Sequence, residues 1–175
     1  MIGAAGAVGS AAIALATQRG AKILAAVRKP AQQAALQAQG IDSILLTDEA
    51  SLAGDVEKYF AGGADSVFDT TGFWLAGAVS ALHLYGTVAV IAAPFARMAE
   101  FPLLDFYRRG ANIVGVNSLL HDLPTSALML DQLRGMFDAG MTKPGKLREC
   151  ALRDGIGVYR DVDSGCGEKC VFVMG

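Results

Sequence analysis

Gly3-Ala4-Ala5-Gly6-Ala7-Val8-Gly9 decides how this 175-residue chain is read. Three glycines spaced by three precede apolar residues at helical spacing, Val8, Ala11, Ala12, Leu15 and Ala16. A tight turn therefore runs directly into a helix. In such a turn the first glycine lets the chain reverse and the second lets a pyrophosphate approach the backbone. The third lets the helix pack closely on a strand. The amides of Ala4, Ala5, Ala7 and Val8 belong to this turn and helix start, where free N–H groups and the positive end of the helix dipole favour phosphate. Small residues at this spacing also occur in close-packed helices, so the motif needs a strand–helix–strand context.

The sequence that follows supplies that context. Gly20 ends the helix, and residues 22–27 read as a buried strand. Pro30 opens a second helix that stops at Gly40, and 43–46 is a third apolar run of strand length. The alternation continues with a helix over 51–60, a strand over 65–69, a helix over 73–84 and a strand over 87–92. A helical turn over 103–109 and a strand over 112–116 come next. Asp122 and Pro124 then start a helix with Met129, Leu133, Met136 and Phe137 on one face, and 169–174 closes the chain as a strand. Strands separated by helices of this length imply right-handed crossovers and a parallel sheet covered on both faces. The expected fold is α/β, a doubly wound Rossmann-type sheet whose ligand lies at the carboxyl ends of the strands. A nucleotide-binding domain over 1–142 and a C-terminal tail over 143–175 are expected.

Composition narrows the function classes. The formal net charge is −2, which argues against a basic nucleic-acid-binding surface and against an acidic disordered tail. With 53% apolar and 18% charged residues and a mean hydropathy of +0.38, intrinsic disorder is ruled out. Residues 70–96 carry no charge and are long enough to span a bilayer. Gly72, Gly77, Gly86 and Pro94 interrupt them, so they read as a helix, a turn at Tyr85-Gly86 and a strand. Residues 1–18 lack the positive flank of a signal peptide. No membrane segment is expected, and the chain reads as soluble and cytoplasmic. Cys150, Cys166 and Cys170 form an odd late set, read as reduced thiols. With only His83 and His121 elsewhere, the Cys166/Cys170 pair does not make a zinc set, and no metal site is expected.

Two further signals bear on chemistry. An NAD site has an acid at the end of the second strand to accept from the ribose 2′-OH. Here the chain reads Ala26-Val27-Arg28-Lys29, and the nearest acid is Asp42. Two cations there fit a 2′-phosphate, favouring NADP(H), although they also suit a solvated helix start. After the next two strands come Asp69-Thr70-Thr71-Gly72 and Ala92-Ala93-Pro94, small and hydroxylated residues that suit a cofactor lying across the strand ends. The plainer alternative is a strand-to-helix turn with threonine as N-cap. His83 reads as a core or helix-end histidine and His121 as a loop residue. No nucleophile–base pair can be named, and the catalytic residues stay unassigned. A short-chain dehydrogenase is excluded: Tyr59, Tyr85, Tyr107 and Tyr159 are followed four residues later by Gly63, Ala89, Ala111 and Asp163, never by lysine.

The glycine turn, the Asp69-Thr70-Thr71-Gly72 element and the ending Val158-Tyr159-Arg160-Asp161-Val162 with Gly167-Glu168-Lys169-Cys170-Val171-Phe172-Val173-Met174 resemble the zinc-independent quinone oxidoreductase branch of the medium-chain dehydrogenase/reductases. That resemblance implies an NADPH-dependent reduction of a quinone, enone or related carbonyl compound. It implies that residues 3–9 hold the pyrophosphate and that Arg28 and Lys29 hold the 2′-phosphate. Thr70, Thr71, Ala92 and Ala93 would line the ribose and nicotinamide, with Asn117 closing that end. It also implies a homodimer through the strand near 112–116. Members carry a GroES-like substrate domain and a first Rossmann strand ahead of the glycine turn. The chain therefore reads as the nucleotide-binding piece of a longer protein, inactive alone. Its first strand would be largely missing, its N-terminus frayed and its cofactor affinity weakened. The alternative is a non-catalytic dinucleotide-binding or sensor module.

Overall fold

The computed structural model describes residues 1–93, 98–138, 147–164 and 169–174. Pro94, Cys166 and the expected boundary between 142 and 143 lie outside them. The chain divides into two compact units, Met1–Ser126 and Ala127–Gly175.

In the first unit, helices and strands alternate: α1 (Ala7–Gln18), β1 (Leu24–Val27), α2 (Pro30–Gln37), β2 (Asp42–Leu45), α3 (Leu52–Glu57), β3 (Ala64–Asp69), α4 (Leu75–Ser80), β4 (Leu82–Val90), α5 (Leu103–Arg109) and β5 (Asn112–Gly115). Helix α6 (Leu123–Asp138) crosses the boundary between the units. β1 pairs with β2, β3 with β4 and β4 with β5, all in parallel. Between β1 and β3 lies a single residue in place of a strand: Ile2 bridges Ala26 on one side and Asp69 on the other. The order is β2-β1-Ile2-β3-β4-β5, the doubly wound α/β fold expected, with its first strand reduced to one residue.

The strand pattern explains the two-sided burial. In β1, Leu24 and Ala26 join a core with Ile2, Ile44, Leu52, Val67 and Val79, while Ala25 and Val27 join a second with Ala4, Ile13 and Leu36. Successive side chains of a strand point to opposite faces, so an unbroken apolar run is what a sheet covered on both faces requires.

Three expectations change. Helix α1 buries Gly9 and Ile13, while Val8 is half exposed and Ala11 exposed. The helix is rotated because its glycine, the residue able to come closest, faces the backbone of the turn. Second, α4 ends at Ser80 and β4 begins at Leu82, so the charge-free stretch turns from helix to strand earlier than Tyr85-Gly86. Tyr85-Gly86 is instead an irregularity inside the strand. Ala64 pairs with Leu82 but Ser66 with Thr87, and Tyr85 takes a φ of 61°. Third, the N-terminus is not frayed. Ile2 is buried, its N–H donates to Phe68 O and its carbonyl accepts from Thr70 N–H, while Met1 O accepts from Ala26 N–H.

In the second unit, β6 (Leu147–Ala151) and β7 (Lys169–Val173) pair in parallel, with α7 (Gly155–Asp163) between them in sequence. The sequence reading anticipated β7 alone. Tyr159 and Phe172 stack at 6.1 Å, and Cys150 is a buried free thiol.

Candidate functional site

The winding reverses at Ile2: β1 and β2 build the sheet to one side, and β3, β4 and β5 to the other. A ligand of such a sheet sits beyond the carboxyl ends at this point. Residues 3–9 leave the sheet there, Arg28 and Lys29 follow β1, 70–72 follow β3, Ala92 and Ala93 follow β4, and Asn117 follows β5. The residues singled out from sequence thus all lie at one edge.

The glycines do different work. Gly3 has a φ of +74°, and a Cβ on it would lie 2.1 Å from Thr70 Oγ1. A Cβ on Gly9 would lie 2.4 Å from Gly3 O and 2.8 Å from Ala4 Cα, so α1 touches the turn backbone to backbone. Gly6 is exposed, and a Cβ there would meet Gly3 O alone at 3.3 Å, which leaves its outer side open. Gly6 caps α1 without a side-chain bond, the first turn holds no acid, and Ala5, Gly6, Ala7 and Val8 are all exposed. The first helical hydrogen bond is Ser10 N–H to Gly6 O, so the Ala7 and Val8 amides have no partner within the helix. α4 offers a contrast. Its amides at Ala76 and Gly77 donate to Glu49 Oε1 at 3.0 and 3.3 Å, so a carboxylate of the chain already fills that helix end. The α1 end has no such carboxylate among the described residues, so its amides can take an external anion.

Arg28 and Lys29 are exposed where β1 runs into α2, and Lys29 is the N-cap before Pro30. The threonines, by contrast, are occupied. Thr70 Oγ1 donates to Ile2 O at 3.0 Å, and Thr71 Oγ1 donates to Asp69 Oδ1 at 2.8 Å while accepting from Phe73 N–H. Neither caps α4, whose N-cap is Trp74. Gly72 brings this turn against the end of β4, since a Cβ on it would lie 2.3 Å from Ala92 O. The 3–9 turn, residues 70–72 and Ala92-Ala93 are therefore contiguous. Asn117 stands apart, with its Oδ1 accepting from Leu119 N–H to cap the turn Ser118–Leu120.

Asp69 organises this edge, a role not assigned from sequence. It is fully buried, and its Oδ1 accepts from Thr71 N–H, Gly72 N–H and the Thr71 hydroxyl. Its Oδ2 has no hydrogen-bond partner among the described residues. The Asp-x-Thr spacing is the available signal, since an aspartate commonly bonds the backbone two residues on. Glu49 left no comparable signal, because its partners lie 27 and 28 residues away. The Met1 ammonium is enclosed and donates to Leu24 O at 2.9 Å. Burial pushes its pKa down to about 6, against an opposing pull from Asp69. His83 lies near the amino end of β4, opposite the site, and His121 is an exposed loop residue. Among the described residues no three His, Cys, Asp or Glu side chains come together to hold a metal ion, and no helix is long and apolar enough to cross a membrane.

The chain is similar to known proteins. A family model described as zinc-binding dehydrogenase matches residues 7–131. A zinc-type alcohol dehydrogenase-like protein of Schizosaccharomyces pombe is 30% identical over 181 residues, covering 99% of this chain and 52% of the relative. The chain thus spans about half the length of the curated relative it matches. Among solved structures, an alcohol dehydrogenase superfamily protein from Novosphingobium aromaticivorans is 25% identical with a TM-score of 0.78, over 94% of this chain and 50% of that one. A quinone oxidoreductase of Pseudomonas syringae pv. Tomato DC3000 is 21% identical with a TM-score of 0.77, over 99% of this chain and 55% of that one, a likeness of fold.

Proposed function

The chain belongs to the zinc-binding dehydrogenase family of the medium-chain dehydrogenase/reductase superfamily, and from that premise we propose that it is the nucleotide-binding part of an NADPH-dependent oxidoreductase. Its substrate class is a quinone, an enone or a related carbonyl compound. One observation carries the reading: an open, uncapped helix N-terminus at the switch point of a parallel sheet, with two cations at the end of the neighbouring strand.

In this reading residues 3–9 hold the pyrophosphate, and Arg28 and Lys29 hold the 2′-phosphate. Thr70 and Thr71, with Ala92 and Ala93, form the wall beside ribose and nicotinamide, and Asn117 closes that end. The occupied threonine hydroxyls position the turn, so the wall works mainly by shape. When bound, the nicotinamide supplies a hydride, two electrons with one proton, and the reduced substrate takes a further proton from water. The described side chains do not assemble a zinc site.

Residues 1–142 act as the cofactor domain and 143–175 as a tail, in a cytoplasmic protein. The chain binds cofactor but does not turn over substrate by itself. The β5 edge supports a homodimer: Val114 in β5 and Val116 just beyond it are 45% and 46% exposed, and among the described residues β5 pairs on one side. Thermal unfolding with NADPH and, separately, NADH tests the cofactor. Binding to the folded state adds about 2.7 kcal/mol at a hundredfold excess over Kd. A larger shift with NADPH is expected. Equal shifts would remove the 2′-phosphate assignment, and no shift with either would remove the nucleotide site.

A further inference from the structure

The turn that follows β3 hangs on one atom. Asp69, the last residue of β3, is fully buried. Its Oδ1 accepts from Thr71 N–H at 2.7 Å, from the Thr71 hydroxyl at 2.8 Å and from Gly72 N–H at 3.1 Å. Its Oδ2 has no partner among the described residues, so Oδ1 alone does the holding. What it holds is a wedge. Gly72 sits at a φ of +71°, and a Cβ there would lie 2.3 Å from Ala92 O and 2.7 Å from Ala93 Cα. Glycine enters the left-handed region about as readily as it leaves it, so this conformation persists because its neighbours fix it. Without Oδ1 the Thr71 and Gly72 amides lose their acceptor and Gly72 is free to turn away from Ala92. The glycine turn has a separate anchor. Gly3 and Ala4 N–H both donate to Ala26 O on β1, at 3.2 and 3.4 Å. Releasing residues 70–72 therefore disturbs the β3–β4 side of the edge and leaves the β1 side, with Arg28 and Lys29, in place.

We propose that Asp69 is a positioning residue that sets the nicotinamide half of the cofactor site and leaves the adenosine half unaffected. The inference rests on the cofactor reading above, in which ribose and nicotinamide lie along residues 70–71 and 92–93, and the 2′-phosphate on Arg28 and Lys29. Asp69 is itself enclosed and acts only through Thr71 and Gly72. A ligand binds the competent shape of the turn, and its apparent Kd rises as the population of that shape falls. A released turn that visits the shape about a tenth of the time loses about tenfold in affinity. A buried carboxylate with one unpartnered oxygen costs stability, a cost that a pre-shaped site sustains and an ordinary core position does not. Because all three bonds end on Oδ1, asparagine can replace aspartate, whereas leucine fills similar space with no acceptor.

The test titrates the full chain by calorimetry with NADPH and with adenosine 2′,5′-bisphosphate, which carries the adenosine half alone. Asp69→Leu is expected to weaken NADPH by about tenfold and to leave the bisphosphate within about twofold. Asp69→Asn is expected to keep NADPH within about threefold of the unaltered chain. Thr71→Val removes one of the three donors while keeping the shape of the side chain. It is the milder variant should Asp69→Leu fold poorly, and is expected to weaken NADPH by about threefold with the bisphosphate unchanged. Val67→Ala trims the core within the same strand and controls for stability. It is expected to lower the melting temperature and change neither affinity. Equal losses of both ligands in Asp69→Leu and Thr71→Val, or no loss of either, would overturn the proposal. So would an asparagine variant as weak as leucine, or a Val67→Ala chain that loses NADPH selectively. An unaltered chain that binds neither ligand would instead overturn the cofactor reading, and the role of Asp69 with it.

Discussion

Replacing Gly9 by alanine separates two opposing effects of one methyl group. In an open helix the change stabilises, because alanine exceeds glycine in helix propensity by about 1 kcal/mol. At Gly9 the new Cβ would lie 2.4 Å from Gly3 O, 2.8 Å from Ala4 Cα and 2.9 Å from Ala4 O, all backbone atoms. None can swing aside as a side chain would. Relief requires α1 to lift from the turn, or Ala4 to leave its fully buried position. Overpacking of this kind costs about 1–3 kcal/mol, so after the propensity gain Gly9→Ala is expected to destabilise by up to about 2 kcal/mol. At 2–4 °C per kcal/mol for a chain of this size, that is a fall of up to about 8 °C. Gly54→Ala in α3 is the matched control, since a Cβ there meets nothing within 4 Å. It is expected to stabilise by about 0.5–1 kcal/mol. Thermal and urea unfolding of both variants, with and without NADPH, give the answer. A Gly9→Ala chain as stable as Gly54→Ala, with an unchanged NADPH shift, would refute the close approach and the role given to the third glycine.

Replacing Arg28 and Lys29 together by alanine is expected to weaken NADPH binding by about 10- to 100-fold and leave NADH binding nearly unchanged, as calorimetric titration would show. Met1 predicts a pH dependence. Its ammonium titrates at about 6 in the fold and near its usual value of 8.0 when unfolded. Between these values the unfolded chain binds more protons, so stability rises from about pH 6 to 8, by about 2–3 kcal/mol if this group acts alone. Chemical acetylation of the N-terminus removes this rise in urea unfolding if the assignment holds. Val114→Lys in β5, a strand that pairs only with β4 among the described residues, is expected to yield a monomer in sedimentation with no loss of the NADPH shift.

The parts of the fold legible in the sequence were those set by local chemistry. Pro30 at the first turn of α2 and Asp122 accepting from Thr125 N–H ahead of α6 mark helix starts within four residues of chain. The carboxyl-edge positions of Arg28, Lys29, Thr70 and Thr71 followed from strand ends, which hydrophobic runs locate well. What was not legible depended on distant contacts. The rotation of α1 follows from the contact of Gly9 with Gly3 and Ala4, which spacing of apolar residues does not encode. The early start of β4 follows from the Ala64↔Leu82 pair and the shift after it, so a composition change at Tyr85-Gly86 marked an irregularity and not an end. Glu49, closing α4 from 27 residues away, is the same kind of long-range fact.

Ile2 links these observations, because it belongs at once to the sheet and to the cofactor edge. Full burial of such a side chain contributes about 1.5–3 kcal/mol and each backbone bond about 0.5–1.5 kcal/mol. Those terms are a substantial share of the 5–15 kcal/mol that typically separates folded from unfolded chains. Through Thr70, whose hydroxyl and N–H both donate to Ile2 O, the same residue fixes the turn that meets Gly3.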